Sequence, residues 1–190
     1  MKQSLLLKRG LYLEYTTLGW NAIGTAIVFV AAALANSVAL AGFGLDSLIE
    51  IFASLVVVWQ LKGVNQNRER LALRLIGGAF FVLALYILIQ SARTLLTQSK
   101  PDTSTTGLVW LTATFLVMLA LAWGKYRTGK ELGNQVLLTE GRVTLVDAYL
   151  AGAVLVGLIL NTLFGWWWAD PLAGLVIVFY GIKEGWHAWH

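Results

Sequence analysis

Apolar residues in this chain fall into six long runs separated by short polar breaks. The runs cover about 13–34, 38–61, 71–96, 107–123, 143–164 and 171–186. At a rise of about 1.5 Å per residue, each spans or nearly spans a hydrocarbon core about 30 Å thick. The pattern predicts an all-α membrane protein: six transmembrane helices in a single domain over residues 1–190.

The breaks carry their own signals. Only Asn36-Ser37 part the first two runs. Gln98 to Thr106 reads as a polar turn. Lys125 to Glu140 reads as a partly helical connection on the opposite side, with Leu132-Gly133-Asn134 inside it. Trp166, Trp167 and Trp168 read as an interfacial anchor. Asp170 before Pro171 reads as a helix N-cap with proline at the first helical position. The basic start, with Lys2, Lys8 and Arg9, has the charge of a signal peptide. The apolar run behind it is too long for one and has no clear cleavage site, so an uncleaved first helix is expected.

Composition agrees with this reading. Hydrophobic residues make up 58% of the chain and charged residues 13%, against about 25% charged in a soluble domain. Mean hydropathy is +0.71. The absence of cysteine excludes disulfides and thiolate metal sites. The two histidines, His187 and His190, stand at the end of the chain, read as solvated, and exclude a His-rich site.

The charges place the ends. Twelve of the fourteen Lys and Arg fall on the N-terminus, the second-to-third connection, the fourth-to-fifth connection and the C-terminus. Arg93 and Lys100 alone fall on the other side. The basic side is expected to be cytoplasmic, with both termini there, in the cell's inner (plasma) membrane. The net charge of +4 is then a topology signal, and no nucleic-acid partner is expected.

Six of the ten acids (Glu69, Asp102, Glu131, Glu140, Asp170 and Glu184) are assigned to loops or helix ends. Glu14, Asp46, Glu50 and Asp147 lie inside apolar runs. A carboxylate at bilayer depth costs at least about 2.5–3.5 kcal/mol and usually marks an ion or proton path. Asp46 and Glu50 are spaced i, i+4, so both face one side of the second helix. Mutual repulsion and desolvation both oppose such a pair, and a bound cation or a shared proton relieves both. Asp147 enters the fifth helix about one turn in, where it can complete an oxygen-rich site suited to hard divalent ions. The competing reading is a set of protonated acids hydrogen-bonded between helices. Glu14 is a weaker candidate that can snorkel to the interface. Asn21 and Asn161 read first as interhelical hydrogen-bonding amides. Small residues at Gly42, Gly44, Ala153, Gly157, Gly181 and Gly185 favour close helix packing.

These residues resemble the membrane domain of the cation diffusion facilitator, or cation efflux, family. The resemblance rests on Trp20-Asn21, on the stretch from Ser37 to Glu50 with Asp46 in it, on Asp147, and on Trp168-Ala169-Asp170-Pro171-Leu172-Ala173-Gly174-Leu175. It covers nearly the whole chain in order. It implies a six-helix transporter, usually a homodimer, that exports a divalent metal (Zn, Mn, Fe, Co or Cd) in exchange for protons, with no resident cofactor. It also implies a site of two ligands in the second helix, matched by Asp46 and Glu50, and a His and an Asp in the fifth. Asp147 matches the Asp, but Val143 stands where the His is expected. Thr144, Asn21, water or backbone would complete the shell, and zinc preference is weakened accordingly. The family's His-rich loop is missing, and its C-terminal cytoplasmic domain is not expected in a chain that stops after the sixth run. A metal-responsive regulator or assembly partner without transport is the alternative. An enzyme has no support in a chain with no Ser/His or Cys/His set and no histidine pair at membrane depth.

Overall fold

The computed structural model describes residues 2–62, 66–98, 100 and 102–189, and is all helix between short turns. The order is α1 (Lys2–Ala35), α2 (Val38–Leu61), α3 (Gln66–Thr97), α4 (Thr105–Leu132), α5 (Gln135–Phe164) and α6 (Ala169–Trp189). There is no strand among the described residues. Among the described residues, the five helices α1 to α5 are long and apolar enough to cross a membrane, and α6 is the shortest helix at 21 residues. The expected α2 matches at both ends, and the other helices run past the apolar runs that announced them.

The extensions of α4 and α5 correct the expected connection between Lys125 and Glu140. Helix α4 continues to Leu132 and α5 begins at Gln135, so only Gly133 and Asn134 turn the chain. Gly133 ends α4 in the left-handed region at φ 63°, where a side chain is strained. Asn134 then caps α5 by accepting from the Leu137 N–H at 2.9 Å. Ser37 and Ser104 cap α2 and α4 in the same way.

α2 and α5 form the centre. Each touches four other helices, while α1 packs on α2 and α4, and α3 packs on α6. The polarity is the reverse of a water-soluble bundle. Leu34, Leu96, Val109 and Leu163 point outward, while Glu14, Asp46, Glu50, Lys125, Glu140, Asp147 and Asp170 are buried. Lipid tolerates the first set, and only interhelical partners make the second tolerable. Small residues bring the backbones together where expected. A Cβ on Gly157 would stand 3.2 Å from the Ala169 carbonyl oxygen, and one on Gly185 would stand 3.1 Å from that of Gly77.

Asp170 is corrected as well. It lies in the first turn of α6, and its carboxylate reaches across to α2. It accepts from the Ser37 hydroxyl at 3.0 Å and from the Ala39 N–H at 3.1 Å. It therefore serves the N-terminus of a neighbouring helix, a placement that sequence spacing alone cannot reveal.

Candidate metal site and a buried ion-pair cluster

The antiparallel contact of α2 and α5 carries a ladder of polar side chains. Asp46 lies against Asp147 at its first rung. One step toward the other end of α2, Glu50 meets Thr144, whose hydroxyl donates to Oε1 at 2.7 Å. Ser54 meets Glu140 and donates to its Oε1 at 3.0 Å. At the last rung Asn134 donates to Gln60 at 3.2 Å. The first three rungs repeat at roughly one helical turn on both helices, which keeps one face of each on the seam, and the last lies six residues further along each side.

The predicted site residues come together on this seam. Asp46, Glu50 and Asp147 are buried at 4%, 1% and 2% exposure. Asp147 lies close to both Asp46 and Glu50. Asn21 joins from α1 and donates to Glu50 Oε2 at 2.9 Å, the interhelical bond expected of it. The Glu50 carboxylate is thus held on both oxygens. Both oxygens of Asp147 and Oδ2 of Asp46 are buried without a hydrogen-bond partner. Unpartnered buried carboxylate oxygens are costly and call for a cation or a proton. Among the described residues, no three His, Cys, Asp or Glu side chains stand as a ready-made ligand set. Val143, at the expected histidine position, is buried in the hydrophobic core.

The rungs of Glu50 and Glu140 contain a cluster that the sequence reading missed. Lys125 of α4 was assigned to a cytoplasmic connection and Glu140 to a helix end. Both are fully buried. Lys125 Nζ lies 3.1 Å from Glu14 Oε2, 3.2 Å from Glu140 Oε1 and 3.0 Å from Thr144 Oγ1. Glu14 does not snorkel; it is buried and ion-paired. A signal for these residues was present. Glu140, Thr144 and Asp147 follow i, i+4, i+7 spacing, and so do Leu121, Lys125 and Thr128. Reading α4 and α5 up to the Gly133-Asn134 break would have put them on helix faces. His187 lies on the exposed side of α6, away from this seam, and His190 lies outside the described residues.

The family model for the cation efflux transmembrane domain matches residues 16–189. The chain belongs to the cation efflux family. Like its family, it is an integral, multi-pass membrane protein. It is 29% identical over 168 residues to a cadmium, cobalt and zinc/H(+)-K(+) antiporter of Bacillus subtilis, covering 81% of this chain and 53% of the relative. An uncharacterized transporter of Synechocystis is 26% identical over 168 residues, covering 83% and 54%. Transmembrane protein 163 of Xenopus laevis is 24% identical over 187 residues, covering 93% and 66%. The chain thus spans between about half and two thirds of the length of these relatives.

Proposed function

We propose that the chain exports a divalent metal cation in exchange for protons, with Asp46, Glu50 and Asp147 as the ligands. The observation that carries this reading is the set of three unpartnered oxygens on Asp46 and Asp147, which lack the ammonium that Glu14 and Glu140 share and are buried beside a Glu50 that is already held in place. An all-oxygen set suits hard or borderline ions such as Mn²⁺, Fe²⁺, Co²⁺ or Zn²⁺ better than the softer Cd²⁺. Val143 offers no imidazole to tilt the choice toward zinc. The relative named as a cadmium, cobalt and zinc/H(+)-K(+) antiporter supports both the cargo class and the exchange.

Charge balance makes exchange the natural mode. Among the described residues, five carboxylates lie on or beside the seam, Glu14, Asp46, Glu50, Glu140 and Asp147, against the one buried ammonium of Lys125. Four negative charges are left over when all are ionised. A divalent cation offsets two of them, and so do two protons. Swapping one for the other leaves the net charge of the seam the same in both loaded states, so the bundle can rock between its two faces at no added electrostatic cost. Entry is from the cytoplasm, where both termini lie in this reading, and the working unit is a homodimer in the plasma membrane. The chemistry is carriage, with no bond made or broken in a substrate.

Proteoliposomes test this directly. With an imposed pH gradient, uptake is measured across Zn²⁺, Mn²⁺, Co²⁺, Cd²⁺, Fe²⁺ and Mg²⁺. Uptake that depends on the gradient and is lost in Asp147→Asn is expected. Gradient-independent uptake removes the antiport, and metal binding without any uptake favours the regulator.

A further inference from the structure

The ion-pair cluster on α1, α4 and α5 has a direction built into it. An ammonium carries three hydrogens and no acceptor lone pair. Three oxygens surround Lys125 Nζ, at 3.0 Å from Thr144, 3.1 Å from Glu14 and 3.2 Å from Glu140. Thr144 Oγ1 must therefore accept from Lys125. Its one hydrogen is then free only for Glu50 Oε1, 2.7 Å away. The polarity of the chain Lys125 to Thr144 to Glu50 is fixed. A neutral, non-donating partner in place of the ammonium would leave the hydroxyl free to turn away from Glu50.

We infer that Lys125 is a positioning residue for the Glu50 carboxylate, acting through the Thr144 hydroxyl, and so helps set the affinity of the divalent-cation site. This rests on Glu50 being a ligand, as proposed above. With Thr144 on Oε1 and Asn21 on Oε2, the carboxylate plane is locked before any ion arrives. Each oxygen keeps a lone pair for the ion, and the ordering cost of binding falls. Thr144 also leaves the set of candidate ligands, because its oxygen is turned toward Lys125 and its proton toward Glu50. Groups that orient a metal ligand in this way typically contribute about 10–100-fold in metal affinity. The lysine itself is held by charge, and Glu140 is held in turn by the Ser54 hydroxyl. The cluster thus ties α1, α2, α4 and α5 to the orientation of one side chain.

The test is equilibrium binding of Zn²⁺, Cd²⁺ and Mn²⁺ to the full chain in detergent micelles, by titration calorimetry. The variants are Lys125→Met, Thr144→Val, Thr144→Ser, the double variant Lys125→Met/Thr144→Val, and Glu50→Gln. Lys125→Met and Thr144→Val are each expected to raise Kd about tenfold. The double variant is expected to match the singles, because both cut one chain at two points. Thr144→Ser, which keeps the hydroxyl, stays within about twofold of the parent. A wild-type Kd for Thr144→Val overturns the inference. So does a double variant in which the two losses multiply to about a hundredfold, since Lys125 would then act independently of Thr144. Thr144→Val leaves every charge in place, so it decides the matter even if Lys125→Met does not fold. Glu50→Gln separates the two levels. Wild-type binding in that variant removes Glu50 from the site and this inference with it. Lost binding there, with wild-type binding in Thr144→Val, removes only the role of Lys125.

Discussion

Two groups of buried acids share the seam between α2 and α5, and they are compensated differently. Glu14 and Glu140 have a resident cation, the ammonium of Lys125, within 3.2 Å. Oxygens without a hydrogen-bond donor occur in both groups, on Asp46 and Asp147 and on Glu14 and Glu140 alike, but Asp46 and Asp147 have only each other and no such ammonium beside them. The first group is electrostatically answered from within the chain. The second is left open in the folded protein, at a cost that only a visiting cation or proton relieves. Stability and function are therefore separable here by which acid is neutralised.

The largest expected effect is on binding. Asp46→Asn or Asp147→Asn should weaken divalent-cation binding on the order of a hundredfold or more, equivalent to at least about 2.7 kcal/mol. Glu14→Gln, in the compensated group, should change it far less. Titration of the three variants side by side checks this, and equal losses would dissolve the distinction between the groups.

Stability should respond in the opposite sense. Lys125→Met leaves Glu14 and Glu140 facing each other without a counter-charge and should cost about 3–5 kcal/mol. Asp147→Asn removes repulsion and should raise the melting temperature of the metal-free protein. Thermal unfolding in detergent without metal reads both. A lower melting temperature for Asp147→Asn would mean that the acid already has a stabilising partner.

A smaller effect is expected on ion choice. Val143→His restores an imidazole one turn before Asp147 and should shift preference from Mn²⁺ toward Zn²⁺ by about tenfold. Competition between the two ions on one sample measures it. Smaller again is Asp170→Ala, at the far end of α2 from the ion-pair cluster. It removes the partner of Ser37 and of the Ala39 N–H and should cost about 1–2 kcal/mol with metal binding unchanged. Unfolding and binding on the same preparation test the two halves of that statement.

Long apolar runs made the helices legible in the sequence, because lipid leaves a spanning segment few alternatives to helix. Asp46, Glu50 and Asp147 were legible for the same reason, as charges where charge is expensive. The ion-pair cluster was not. Lys125 and Glu140 flank a stretch polar enough to pass for a loop, and charge near a membrane end is normally topology. Only the helical path through Leu132 and from Gln135 turns those side chains inward. Asp170 was misassigned because its partners, Ser37 and Ala39, lie more than a hundred residues away in the chain. Local spacing identifies acids that are costly, and three-dimensional contact identifies which of them are already compensated.

The central claim is that protons and a divalent cation compete for the uncompensated carboxylates. The most direct measurement is the number of protons released when Zn²⁺ binds, taken from calorimetric titrations in buffers of different ionisation heat between pH 6 and 8. Lower pH leaves fewer carboxylates ionised, so affinity should fall as pH falls, with one to two protons displaced per ion in the parent chain and fewer in Asp147→Asn. Binding that releases no protons and holds its affinity across this range would contradict the account.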